Sequence, residues 1–125
     1  MAKNRKFDLE DRLIEFAIRM LEVSEKLPNT KAGAHLSGQL VRSGTSPALN
    51  YGEAQAAESN ADFIHKLRIG LKELQETRIN LKIVIRKPMI NGYPEIENDL
   101  MECCELISIF AASIKTANKN VIVKK

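Results

Sequence analysis

Glu73 and Glu76 stand three residues apart in a segment of helical pattern, a spacing that puts both carboxylates on one helix face. Such a pair can perform general acid–base chemistry when a metal, a histidine or a closed cleft stands beside it. The histidines do not supply that help. A di-metal carboxylate bundle needs two Glu-x-x-His motifs and two further glutamates facing the core, but His65 has only Asp62 at the required offset and His35 has Ala32. Cys103 and Cys104 are adjacent, so on a helix they point about 100° apart, which suits neither zinc spacing nor a mutual disulfide. They read as small core or interface residues in a reducing compartment. No Gly-rich phosphate loop, nucleophile elbow or Cys/His pair is present. The pattern predicts a protein without catalytic residues, cofactor or metal, in which Glu73 and Glu76 belong to a solvated or salt-bridged face. A metal-dependent enzyme is the least favoured reading.

Binding chemistry has more support. Residues 59–87 carry seven bases, Lys66, Arg68, Lys72, Arg78, Lys82, Arg86 and Lys87, against three acids. Arg68, Lys72 and Lys82 can share a stripe. Groups that neutralise phosphates give salt-sensitive binding that is largely independent of base sequence. With no Trp and few interleaved aromatics, a single-strand stacking platform is not expected. The termini add Lys3, Arg5 and Lys6 at one end and Lys115, Lys119, Lys124 and Lys125 at the other, so the stretch between them carries −4 of the chain's net +3. The competing reading is a solvated charge run and solubilising termini. For a single protomer that reading prevails; a ring of protomers would multiply the patch.

Four helical segments must position these residues. The first spans 8–27, with a stripe of Leu9, Leu13, Phe16, Ala17, Met20 and Leu27 and a second of Ile14, Ile18 and Leu21. The second spans 30–56 and begins its stripe with Leu36, Leu40 and Val41. The third spans 59–86, opened by the capping sequence Ser59-Asn60-Ala61-Asp62, with Phe63, Leu67, Leu71, Leu74, Leu81 and Ile85 on one face. The fourth spans 94–118, with Ile96, Leu100, Cys103, Ile107, Phe110, Ala111 and Ile114 inside and Met101, Leu106 and Ile109 widening that face. Long helices joined by short connections make an all-α fold, an antiparallel up-down-up-down four-helix bundle in one domain, with short basic arms at 1–7 and 119–125. Surplus apolar residues on the first and fourth helices fit either a broad core or a subunit interface. The third helix is basic, while residues 94–114 carry five acids and no base, so these neighbours attract. The N-terminus lacks the apolar core of a signal peptide and no apolar run approaches a membrane span, so a cytoplasmic protein without membrane contact is expected.

Within this frame residues 39–53, QLVRSGTSPALNYGE, stand out. Gln39, Arg42, Ser43, Thr45, Ser46, Asn50 and Glu53 occur at helical spacing where a packed helix would be apolar, and buried polar groups need partners. Pro47 removes a backbone donor and crowds the Ser43 carbonyl, at about 3 kcal/mol inside a helix. Gly44 adds about 1 kcal/mol. Two readings follow. Either the helix ends near Ser43 and a new one starts with Ser46 as cap, or one long helix bends, with Ser43 or Ser46 relieving the lost bond. Arg42, Asn50 and Glu53 are expected to engage one another, the third helix or a neighbouring subunit, with Glu76 as a partner.

Residues 39–54, followed by DFIHKLRIGLKELQET at 62–77, resemble the four-helix-bundle family first met as proteins encoded in intervening sequences of 23S ribosomal RNA genes and often labelled S23 ribosomal protein. The family pattern falls on Gln39, Arg42, Ser46, Asn50 and Glu53, then on Phe63, Leu67, Leu74 and Glu76. Tyr51, Gly52 and Ala54 depart from it, and the proline sits one place early. The resemblance implies a bundle with a continuous, bent second helix kinked near Pro47. It also implies a homo-oligomeric ring, typically a pentamer. Related bundles serve as accessory factors in diversity-generating retroelements, where a basic ring engages nucleic acid and a reverse transcriptase. The expectation is therefore a non-enzymatic homo-oligomer acting as an accessory module to RNA or DNA. The alternative is a scaffold for a protein partner that binds no nucleic acid.

Overall fold

The computed structural model describes residues 8–124, and the side chains of residues 8–120. Lys3, Arg5, Lys6 and Lys125, and the Lys124 side chain, lie outside the described residues. Four helices follow in order: α1 (Leu9–Lys26), α2 (Lys31–Gln55), α3 (Asn60–Arg86) and α4 (Ile96–Lys124). Each of the first three begins at a side-chain cap. Asp8 accepts from the Asp11 amide, Thr30 from Gly33 and Ser59 from Asp62, at 3.0–3.2 Å, which satisfies one of the free donors of each helix start. The Tyr93 and Pro94 carbonyls receive the Ile96 and Glu97 amides at 3.2 Å and open α4. With no Gly or Pro after residue 118 to stop it, α4 runs on to Lys124, beyond the end expected near residue 118.

Consecutive helices pack side by side, α4 returns towards α1 with the sparsest contact of the four, and α1 and α3 stand at opposite corners. Ion pairs fix the sense of neighbours. As numbers rise from Arg42 to Glu53 on α2, those of their α3 partners fall from Glu76 to Lys66, the order that antiparallel helices produce. Leu13, Phe16 and Met20 from α1, Leu40 from α2, Leu67, Leu74 and Leu81 from α3, and Leu106 and Phe110 from α4 are fully buried between the four. Burial of this kind supplies the main stabilisation, about 1.5–3 kcal/mol for each large side chain.

Two glycines set the interhelical distances. A Cβ on Gly44 would stand 2.5 Å from Met20 Cβ and Cγ, and one on Gly70 would stand 2.6 Å from Phe110 Cε2. α2 therefore approaches α1, and α3 approaches α4, closer than an alanine would allow. Leu106 is core, 0% exposed, as the broad-core reading of the widened α4 face has it, because it lies three after Cys103 and four before Phe110. Two side chains differ from the expected faces. Val41 at the edge of the α2 stripe is 38% exposed, and Ala111 is exposed on α4. Ile14, Ile18, Leu21 and Met101 are exposed apolar residues, so the surplus on α1 and this part of α4 lies off the core.

Candidate nucleic-acid interface

α2 is one uninterrupted helix through Pro47, which decides between the two readings of the polar segment in favour of continuity. Pro47 itself is buried. The polar side chains around it are spent locally and on α3. Thr45 Oγ1 donates to the Val41 carbonyl at 2.7 Å, and Asn50 Nδ2 donates to the Ser46 carbonyl at 3.0 Å and Ser46 Oγ at 2.8 Å. Ser43 and Thr77 are both 0% exposed, and their hydroxyls share a hydrogen bond of 2.8 Å between α2 and α3. Thr77 Oγ1 also lies 2.9 Å from the Glu73 carbonyl, so both buried hydroxyls are satisfied.

Arg42 forks onto two α3 carboxylates, with Nη1 at 2.7 Å from Glu73 and Nη2 at 2.8 Å from Glu76. Hydrogen bonding to Glu76 and the charge of Glu73 raise the Arg42 pKa. Glu53 pairs with Lys66 at 2.8 Å, which raises the Lys66 pKa by that hydrogen bond. The two acids whose spacing suggested chemistry thus form an ion-pair clamp between α2 and α3. Gln39 lies at the rim of a shallow groove with Lys72 and Glu76. Asn50→Leu removes the amide that holds Ser46, and a loss of about 1 kcal/mol is expected in denaturant unfolding, with disturbed folding or assembly. A mutant as stable as the parent and normally assembled contradicts this role.

The seven basic residues of α3 do not form one patch. Lys66 faces α2 through its pair with Glu53. Arg78 is half-buried on the α4 side, where its charge bears on Cys103. Lys87 is the C-terminal cap. Arg68, Lys72, Lys82 and Arg86 remain, within an arc of about 100° at helical pitch on the outer face. No carboxylate among the described residues lies within 4.0 Å of their charged groups. Ile79 and Ile83, 47% and 46% exposed, sit among them. Two shallow grooves meet at Ile79, one of about 490 Å³ bordered by Lys72 and Gln75, the other of about 420 Å³ bordered by Lys82 and Arg86. The sequence reading missed these two isoleucines. They fall in phase with Arg68, Lys72 and Arg86 and out of phase with Leu67, Leu74 and Leu81, and that offset was the available signal.

A second polar cluster lies where α1 meets α4, around a cleft of about 350 Å³. Arg12 binds Glu102 at 2.7 Å and Glu105 at 2.9 Å, and the Glu102 hydrogen bond raises its pKa most. Asp99 is 1% exposed. Tyr93 donates to its Oδ2 at 2.7 Å, while Oδ1 has no hydrogen-bond partner among the described residues and faces Arg19 Nη1 at 3.5 Å. Burial raises the Asp99 pKa, and Tyr93 and Arg19 counter it. A carboxyl whose folded pKa is raised stabilises the fold in acid, and that contribution is lost as pH rises through the folded value. Asp99→Asn is therefore expected to hold its melting temperature better than the parent as pH rises from 4 to 7, measured by thermal unfolding. A parallel pH dependence of the two proteins contradicts this. Cys103 hydrogen-bonds the Leu74 carbonyl, and burial pushes its thiol up to about 12, so it packs as an unreactive side chain. Among the described residues no three His, Cys, Asp or Glu side chains gather where they could hold a metal ion, and no helix is long and apolar enough to cross a membrane.

The fold and its cross-links define an all-α four-helix bundle whose polar signature serves the α2–α3 seam. Residues 5–109 match the 23S rRNA-intervening sequence proteins, and the chain belongs to that family. Among solved structures it is similar to a protein with unknown function from the S23 ribosomal protein family of Bacteroides thetaiotaomicron VPI-5482, solved at 1.70 Å. The two share 37% identity and superpose with a TM-score of 0.76 over 85% of this chain and 94% of that one. No curated protein matches the chain.

Proposed function

We propose that this protein is a non-enzymatic, homo-oligomeric accessory module that binds the phosphate backbone of RNA or DNA through the outer face of α3. One observation carries the reading: Arg68, Lys72 and Arg86, exposed, and Lys82, half-buried, share the outer face of α3 with no carboxylate of the described residues in reach. Every Asp and Glu of α3 instead lies off that face, with Glu73 and Glu76 drawn towards Arg42. Four cations of this kind can displace about four counterions, so affinity should fall about 10²-fold between 50 and 200 mM salt. Membership of a family named for intervening sequences of 23S rRNA is compatible with an RNA partner. A scaffold that binds only protein is the second reading, favoured by Ile79 and Ile83 among the bases.

The test is retention of mixed-sequence RNA and DNA oligonucleotides by the purified protein over a salt series. Binding that weakens steeply with salt and depends little on sequence is the expected result. No retention at the lowest salt sinks the nucleic-acid reading and leaves the scaffold.

A further inference from the structure

Among the described residues, Asp99 Oδ1 is the one buried side-chain polar atom without a hydrogen bond. Its partner oxygen, Oδ2, receives the Tyr93 hydroxyl at 2.7 Å, which holds the carboxylate in place. Oδ1 is left with the charge of Arg19, whose Nη1 stands 3.5 Å away, beyond the about 2.7–2.9 Å of a charge-assisted hydrogen bond. A buried carboxylate oxygen in this state has given up its water and calls for a donor. Arg19 covers it loosely, because half of the Arg19 side chain is exposed and such pairs contribute little. Asp99 lines the cleft of about 350 Å³ between α1 and α4, the neighbouring helices in sparsest contact. Four acids, Asp11, Glu15, Asp99 and Glu102, line that cleft against two bases, Arg12 and Arg19. Arg12 and Glu102 are spent on each other. Glu15 is exposed and has no base of the described residues within 4.0 Å. Phe16 adds an apolar wall, so the cleft has the size and mixed lining of a site for a small molecule.

We infer that this cleft binds a short aliphatic diamine, with one ammonium group on Asp99 Oδ1 in place of Arg19 and the other on Glu15. An ammonium is a compact head with three donors, and it can close on an oxygen that the planar guanidinium of Arg19 meets only at 3.5 Å. Glu15 and Arg19 lie four residues apart on α1, a rise of about 6 Å, which suits the separation of the two charges in butane-1,4-diammonium. The methylenes between them lie against Phe16. The excess of acids in the lining attracts a dication and disfavours an anion. Arg19, already half exposed, turns out to solvent when the ammonium takes its place. The site belongs to the α1–α4 seam, while α3 stands at the opposite corner from α1. It therefore leaves the basic α3 face open and does not depend on the function proposed for that face.

Isothermal titration calorimetry of the full chain with 1,4-diaminobutane at neutral pH tests the site. The wild type should take up one diamine per chain. Asp99→Asn should weaken binding by about 30-fold or more, because it removes the buried charge. Arg19→Gln should tighten binding by about 3-fold, because it removes the competing cation; a purely structural Arg19–Asp99 pair gives no such gain. Glu15→Gln should weaken binding by about 3-fold. Glu25→Gln, at an exposed acid of α1 outside the cleft, should leave it unchanged. Circular dichroism checks the helices of each variant, and if Asp99→Asn loses them the Arg19 and Glu15 variants decide. The proposal is overturned by a wild type without saturable heat, by a folded Asp99→Asn that binds as the wild type does, or by weaker binding in Arg19→Gln. Equal effects of Glu15→Gln and Glu25→Gln overturn it as well, since they would mean that the diamine only screens surface acids.

Discussion

Gly44→Ala and Gly70→Ala should each lower the melting temperature, although alanine is the better helix former by about 1 kcal/mol. At Gly44 the new methyl would stand 2.5 Å from Met20 Cβ and Cγ. Met20 Cβ is fixed to its own backbone, so relief requires α1 and α2 to part. At Gly70 the obstacle is Cε2 of Phe110 at 2.6 Å, and that ring is 0% exposed and cannot turn away freely. Overpacking of this kind costs about 1–3 kcal/mol, and where helices must move the upper end applies. A net loss of about 2 kcal/mol corresponds to a fall of about 8 °C for a chain of this size. Gly52→Ala is the internal contrast. It lies in the same helix as Gly44, and its Cβ would meet nothing within 4 Å, so it should gain about 1 kcal/mol. Thermal unfolding of the three variants checks the account, and a Gly44→Ala protein as stable as Gly52→Ala contradicts it.

The second large effect concerns binding. Reversing Arg68, Lys72 and Arg86 to Glu should reduce affinity for a mixed-sequence RNA by about 10²-fold or more and flatten the salt slope by about three. These side chains have no carboxylate partner among the described residues, so their removal leaves no internal charge stranded and the fold should persist. Lys66→Glu is the comparison. Lys66 is equally basic in sequence, but it is directed to Glu53, and its reversal should change RNA binding little while loosening the α2–α3 seam slightly. Equal losses from Lys66→Glu and from the triple reversal would mean that net charge alone governs binding.

The helices were legible in the sequence because their stripes are long and their caps explicit. Asp8, Thr30 and Ser59 each precede a helix by one residue. The ambiguous positions were those at the edges of stripes. Leu106 sits between Cys103 and Phe110 at spacings of three and four, and that phase places it inside even though its neighbours Met101 and Ile109 point elsewhere. Asp99, four before Cys103, carries the same phase and is buried with it, a signal that composition hides because an acid in core phase reads as surface. Ser43 and Thr77 are a matched case. Each follows a core leucine by three residues, Leu40 and Leu74, and two polar residues in core phase on neighbouring helices find each other. That Arg42 reaches Glu73 as well as Glu76 depends on helix rotation and side-chain reach, which spacing alone does not determine. The basic run of α3 illustrates the same limit. Seven residues share a charge, but their phases divide them between the α2 seam, the α4 side and the outer face.

The most direct measurement of the binding claim is a backbone amide chemical-shift map of the protein titrated with a short mixed-sequence RNA. The largest changes should fall along α3 at Arg68, Lys72, Ile79, Lys82, Ile83 and Arg86. Changes confined to the acidic turns of α4 around Glu97–Glu105, or to the chain termini, would contradict the assignment of α3 as the nucleic-acid face.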